Sequence, residues 1–228
     1  MRCEPLRKSA SGRPPGLEKR ITGEKTMKLY GLALAPNPRR VRIFLAEKGI
    51  DLPETPIDLM GGEHKSPEHR ARNSLGQIPT LELDDGTMIS ETVAICRYFE
   101  EVQPEPPLFG KGAVEKALVE MWVRRMEFVL MSPVGAFWRH AHPRTAGLLT
   151  QFKDYGESNR AAYDKAQHWL DRELAGHEFI AGDSFTMADI CALSTIDFAT
   201  RIGLPLGPDL PNLNNWHGRV SARPSAAA

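Results

Sequence analysis

The chain of 228 residues carries 29 basic and 29 acidic side chains, with 41% hydrophobic and 25% charged residues. This composition suits one or two globular domains of about 100–150 residues and excludes a strongly basic nucleic-acid-binding surface. No apolar run approaches the roughly 20 residues of a membrane span, and Cys3, Cys96 and Cys191 form no CxxC pair, so no membrane partner and a cytoplasmic location are expected.

Residues 1–26 hold seven Lys/Arg and three Asp/Glu among Pro, Gly and Ser, with no apolar periodicity. A disordered leader is expected there. It lacks the apolar core of a secretory signal, and Glu4, Glu18, Glu24 and Pro14-Pro15 argue against a basic amphipathic presequence.

Ordered patterning begins at Met27. Residues 27–32 alternate like a short strand, and after the turn Ala35-Pro36-Asn37-Pro38 an amphipathic helix runs to Lys48-Gly49. A strand over 54–59 ends at Gly61-Gly62, and Ser66-Pro67-Glu68 opens a short helix by cap and N1-proline chemistry. Segments 79–83 and 87–89 flank Asp84-Asp85-Gly86 as a hairpin, and Ser90 is expected to cap a helix over 91–102. The order β-α-β-α-β-β-α over residues 27–103 is the thioredoxin-like pattern. Gln103-Pro-Glu-Pro-Pro107 breaks the helix, so 104–111 reads as a linker. Helical patterns over about 112–140, 147–175, 187–202 and 212–221 predict an all-α domain at 112–222, followed by a disordered tail at 223–228.

Three segments carry candidate chemistry. Asn37 enters the first helix, where N–H donors favour an anion such as a thiolate, and its amide suits a sulfur; it also reads as a helix cap. Arg39 and Arg40 read as solvated charges. Ile78-Pro79 opens the third strand; a cis bond there would turn the Ile78 N–H and C=O outward for a peptide ligand, whereas a trans proline would merely start an edge strand. Glu91 suits an ammonium and Thr92 a carboxylate, together the zwitterionic end of a γ-glutamyl peptide; an acidic first helical turn is the plainer reading. Thr186-Met-Ala-Asp189 reads as a capping box with Phe185 as its staple, serving folding. Trp122, Met126 and Phe137 belong to an aromatic and Met stripe, a pattern more often core than cleft, and are the weak candidates for a substrate cleft. No histidine spacing supports a metal.

From Met27 onward the chain resembles the cytosolic glutathione transferases, through LYGLALAPNPRRVRIFLAEKGI, SLGQIPTLELDDGTMISETVAICRYFE and FIAGDSFTMADI. The resemblance implies that Ile78-Pro79 is the family's cis-proline, with Ile78 pairing the cysteinyl part of glutathione. It implies that Glu91 and Thr92 hold the γ-glutamyl end and that His64 and Gln77 meet the glycyl carboxylate. It also implies a homodimer, with glutathione as co-substrate and a small electrophile or disulfide as second substrate. Ala35 stands where many relatives carry a catalytic Ser or Cys, which argues against cysteine chemistry. The Pro36-Asn37 pair resembles the nu class, making Asn37 the candidate catalytic group. Ala35 also leaves open a non-catalytic glutathione-binding scaffold of the same fold.

Overall fold

The computed structural model describes residues 27–228; the expected leader at 1–26, with Cys3, lies outside the described residues. Strand β1 (Lys28–Gly31), helix α1 (Pro36–Glu47), β2 (Glu54–Pro56), α2 (Pro67–Arg72), β3 (Thr80–Glu82), β4 (Met88–Ser90) and α3 (Thr92–Val102) follow in chain order. The sheet runs β2-β1-β3-β4, with β2 parallel to β1 and the other pairs antiparallel. In β1, successive side chains point to opposite faces. Leu29 joins Val41, Phe44, Ile95 and Phe99 in the main core, while Tyr30 joins Ile57 and Ile78 on the other face. The Tyr30 hydroxyl donates to Glu82 at 2.5 Å and its ring lies 4.4 Å from the Arg72 guanidinium, which directs the phenol into the domain.

Helix α3 starts one residue later than its sequence suggests. Ser90 is the last residue of β4, and Glu91 occupies the cap position with φ +69°. Among the described residues Glu91 is the one non-glycine residue in that left-handed region, a conformation costing about 1–3 kcal/mol.

The turn into the second half is held by a buried cation. The Lys48 side chain, 0% exposed, pairs with Glu100 at 2.6 Å and donates to the carbonyls of Gln103, Pro104 and Pro106. Glu100 in turn accepts from the amides of Leu108 and Phe109. The proline-rich stretch thereby folds over a charge that would be very costly to bury alone.

Beyond it, α4 (Gly112–Arg125) runs through a π-helical turn (Met126–Met131) into α5 (Ser132–His140). Then come α6 (Lys153–Glu173), α7 (Met187–Arg201) and α8 (Pro211–Ser221). Helix α7 is the spine of this half, with residues 187–196 all buried. Its start is the expected capping box at Thr186 and Asp189, and Phe185 is buried beside it.

The two halves meet along α1 and α7. Arg39 donates to Asp197 at 2.7 Å and to the Ala226 carbonyl at 2.9 Å, and His217 contacts the other oxygen of Asp197 at 2.7 Å. Burial alone would raise the Asp197 carboxyl, but His217 and Arg39 together hold it below the usual aspartate range. The expected disordered tail is corrected here: Pro224–Ala227 form a 3-10 turn, with Ser225 buried and Arg223 forming a two-pronged pair to Glu47. These partners lie on α1, far away in sequence, so local composition gave no sign of them.

Candidate functional site

Two adjoining cavities open at the junction of the halves. The smaller, about 60 Å³, is walled by Asn37, Arg40, Asn73, Gln77, Ile78, Pro79, Glu91, Thr92 and Glu127. Six of the residues singled out from the sequence, namely Asn37, Gln77, Ile78, Pro79, Glu91 and Thr92, thus come together in one slot. The larger, about 770 Å³, shares Asn37, Arg40, Glu91 and Glu127 with it and extends along α4 and α5 to Arg139, His140 and Tyr155. Its size is within the range of small-molecule sites.

The slot is built from short turns. The Ile78-Pro79 bond is cis. Among the described residues no backbone hydrogen bond uses the Ile78 amide or carbonyl, so both are free to pair with an extended peptide. The preceding carbonyl, of Gln77, accepts from Asn73 Nδ2 at 3.0 Å and contacts His69 Nε2 at 2.9 Å. His69 is fully buried. It and Asn73 therefore position the Gln77–Pro79 turn, a role no local sequence pattern signalled. On the far wall Thr92 is buried and Glu91 exposed, so a carboxylate in solvent reach stands beside a sheltered hydroxyl.

His64 does not line either cavity. It sits in a 3-10 turn whose carbonyl abuts Gly76, where a Cβ would lie 2.7 Å away. Its Nδ1 is buried without a partner, and burial, followed by Lys65, His69 and Arg70, lowers its pKa.

Helix α1 offers fewer anion donors than its position suggests. Ala35 is the cap residue and supplies no side-chain bond, so Asn37 lies in the first turn rather than at the cap. Prolines at 36 and 38 have no N–H. That leaves the Asn37 backbone N–H as the one donor of residues 36–38, together with its side-chain amide. Asn37 is half-buried and its side chain has no partner among the described residues. Arg39 and Arg40 are not solvated: Arg39 is tied to Asp197, and Arg40 is 3% exposed.

The stripe assigned to a substrate cleft is corrected. Met126 and Phe137 are core residues, aligned with Leu130 and Val134 on the inner side of the continuous helix. Trp122 stacks on Trp169 at 5.8 Å, away from the cavity. Large apolar side chains gain about 1.5–3 kcal/mol by burial, and α6 and α7 offer that burial. The wall is made instead by Phe128, Met131, Ser132, Gly135, Ala136 and Arg139. The π turn, which carries Glu127, Phe128 and Met131, interrupts the 3.6-residue phase from which those faces would be read.

The two described cysteines take no part. Both are buried, and burial pushes the Cys191 thiol up to about 11 and Cys96 well above the usual value. Among the described residues no helix is long and apolar enough to cross a membrane.

Comparison with known proteins agrees with this two-part fold. Residues 35–102 match the model of the glutathione S-transferase N-terminal domain, and 125–224 that of the C-terminal domain. The chain is 38% identical to Glutathione S-transferase 2 of Saccharomyces cerevisiae, over 89% of this chain and 90% of that protein. The crystal structure of Gtt2 from Saccharomyces cerevisiae matches with a TM-score of 0.84 at 37% identity, covering 88% of this chain and 98% of that one. A glutathione S-transferase domain-containing protein from Marinobacter aquaeolei VT8 matches with a TM-score of 0.82 at 40% identity, covering 87% and 98%.

Proposed function

The chain belongs to the glutathione S-transferase family, and we propose that it activates glutathione at the slot of residues 77–79 and 91–92, with Asn37 as the thiolate-stabilising group. As in its family, the co-substrate is glutathione and the activity is transfer of the glutathionyl group through its sulfur. In this reading the thioredoxin-like part, 27–103, binds glutathione, and the helical part, 112–222, supplies the acceptor wall. The carrying observation is the meeting of six separated residues in one slot beside a larger cavity. The Ile78 amide and carbonyl would pair with the cysteinyl backbone. Glu91 would take the ammonium, Thr92 the carboxylate of the γ-glutamyl end, and Gln77, with the His64 turn beside it, the glycyl end.

The Asn37 amide then donates to the sulfur at the mouth of the large cavity. The thiol proton leaves to solvent, and the sulfur lone pair forms a bond to the acceptor. With an electrophilic carbon the product is a thioether and a displaced leaving group. With a glutathione-containing disulfide it is oxidised glutathione and a released thiolate. Ala35 has no hydroxyl or thiol, so no covalent enzyme intermediate forms.

Calorimetry with glutathione, then turnover of chlorodinitrobenzene and of a glutathione-capped disulfide, tests the reading. Asn37→Ala is expected to keep glutathione affinity within about threefold, while raising the midpoint of the bound thiol by about one unit and lowering turnover about tenfold or more. Binding with no turnover of either substrate would favour a binding scaffold. An unchanged midpoint in Asn37→Ala would remove Asn37 from the mechanism.

We read the assembly as a homodimer. Val114, Leu118 and Met121 are 73%, 43% and 36% exposed along one face of α4, an apolar stripe at i, i+4, i+7 spacing that a second copy would cover. Sedimentation should give twice the chain mass, and Leu118→Glu should give monomers; a monomeric parent refutes it. The buried unpaired thiols of Cys96 and Cys191 support a cytoplasmic location, which recovery in a secreted fraction would contradict.

A further inference from the structure

The first turn of α1 is poor in donors, since Pro36 and Pro38 lack N–H groups and Ala35 lacks a hydroxyl, yet the cavities meet at that turn. One helical turn on, at i+3 from Asn37 and so on the same face, Arg40 lines both cavities. Its guanidinium is 3% exposed and poorly paired. Nη1 reaches Glu127 at 3.4 Å, Nη2 reaches Thr195 Oγ1 at 3.3 Å, and Nε is buried with no partner.

Arg40 ends a chain of alternating charges. Glu127 is held more tightly by Arg124, at 2.7 Å, than by Arg40, and Arg124 also pairs with Glu120, which Arg97 shares. Three arginines face two glutamates, leaving one surplus positive charge, and the loosest contacts in the chain are those of Arg40. A buried guanidinium with long contacts and an orphaned donor is an expensive arrangement unless an anion joins it. Glu91, the remaining charged group on both walls, is exposed and adds negative charge at the rim.

We propose that Arg40 is the main source of positive potential holding the glutathione sulfur as a thiolate, acting from the floor shared by both cavities while Asn37 donates directly. The inference rests on the glutathione reading above. In a low-dielectric floor a full charge acts over several ångströms, whereas a neutral amide acts only within hydrogen-bond reach. Arg40 is thus a positioning and electrostatic residue for a reaction in which Asn37 touches the sulfur.

The test titrates the thiolate absorbance of glutathione bound to the full chain. In the parent the midpoint should lie well below the free-thiol value of about 8.5. Arg40→Met should raise it by about one unit or more, with turnover near neutral pH falling about tenfold, and Arg40→Lys should restore most of the shift. Arg39→Met removes a neighbouring charge that lines neither cavity, and should lower thermal stability without moving the midpoint. A purely structural role for Arg40 predicts the reverse, with lower stability and an unmoved midpoint, and would overturn the inference. Should Arg40→Met fail to fold, a parent midpoint at or above the free-thiol value overturns it without any variant. A parent that binds no glutathione in calorimetry overturns the underlying reading and this inference with it, whereas binding with an unshifted midpoint defeats the inference alone.

Discussion

Lys48→Met is expected to lower the melting temperature by roughly 10 °C. The ammonium is wholly buried, with Glu100 at 2.6 Å and three linker carbonyls around it. Methionine keeps the stem's packing and removes only the charge and its donors. Glu100 is then a nearly buried carboxylate left with two long amide bonds, at 3.4 and 3.2 Å. Breaking such a pair from one side costs about 3–5 kcal/mol, and for a chain of this size each kcal/mol corresponds to about 2–4 °C. The double variant Lys48→Met/Glu100→Gln should be less damaged, because no unpaired charge remains and the Gln carbonyl can still accept from one of the Leu108 and Phe109 amides, which bond to different oxygens of Glu100. Thermal denaturation of the three proteins checks this order. A single variant that melts with the parent would show that the linker is held by apolar packing alone. Neither residue lines either of the two cavities described above, so glutathione affinity at low temperature should persist.

Asp189→Ala is expected to be more damaging, at about 4 kcal/mol or more, with little folded protein recovered. The carboxyl is 0% exposed and takes four hydrogen bonds. One oxygen accepts from the Ile180 amide at 3.0 Å and the Trp216 indole at 2.9 Å. The other accepts from the Thr186 amide at 2.9 Å and hydroxyl at 3.1 Å. Burial favours the neutral acid, so the ionised form depends on these donors. Alanine leaves three N–H groups buried without acceptors, each costing about 1–3 kcal/mol, against a total stability of order 5–15 kcal/mol. Thr186→Ala loses one of the four bonds and should cost only about 1 kcal/mol. Chemical denaturation of both variants measures the gap, and equal, small losses would reduce Asp189 to an ordinary local cap.

These expectations separate what was legible in the chain from what was not. Signals confined to a few neighbouring residues were readable. The Asp85-Gly86 hairpin, the Pro-rich break after Val102, the short helix opened by Ser66-Pro67 and the Thr186/Asp189 box depend on backbone chemistry within one turn. Even there Asp189 did more than local reading allowed, because Trp216 arrives from another helix.

By itself the sequence determined the order of elements and the two-part architecture, through patterns that repeat at 2 or 3.6 residues or lie at fixed offsets, while the 77–79 and 91–92 turns stood out through their likeness to a known family. Only the tertiary structure decided that Arg40 is buried, that the wall is Phe128, Met131 and Ser132 rather than Trp122, Met126 and Phe137, and that the tail folds onto Glu47. The partners of Arg40, Glu127 and Thr195, lie 87 and 155 residues away, and that of Ser225 lies 178 away. A side chain's burial and charge environment belong to whichever element packs against it, and the π turn shifts the helical phase in between; neither leaves a trace in the neighbouring residues.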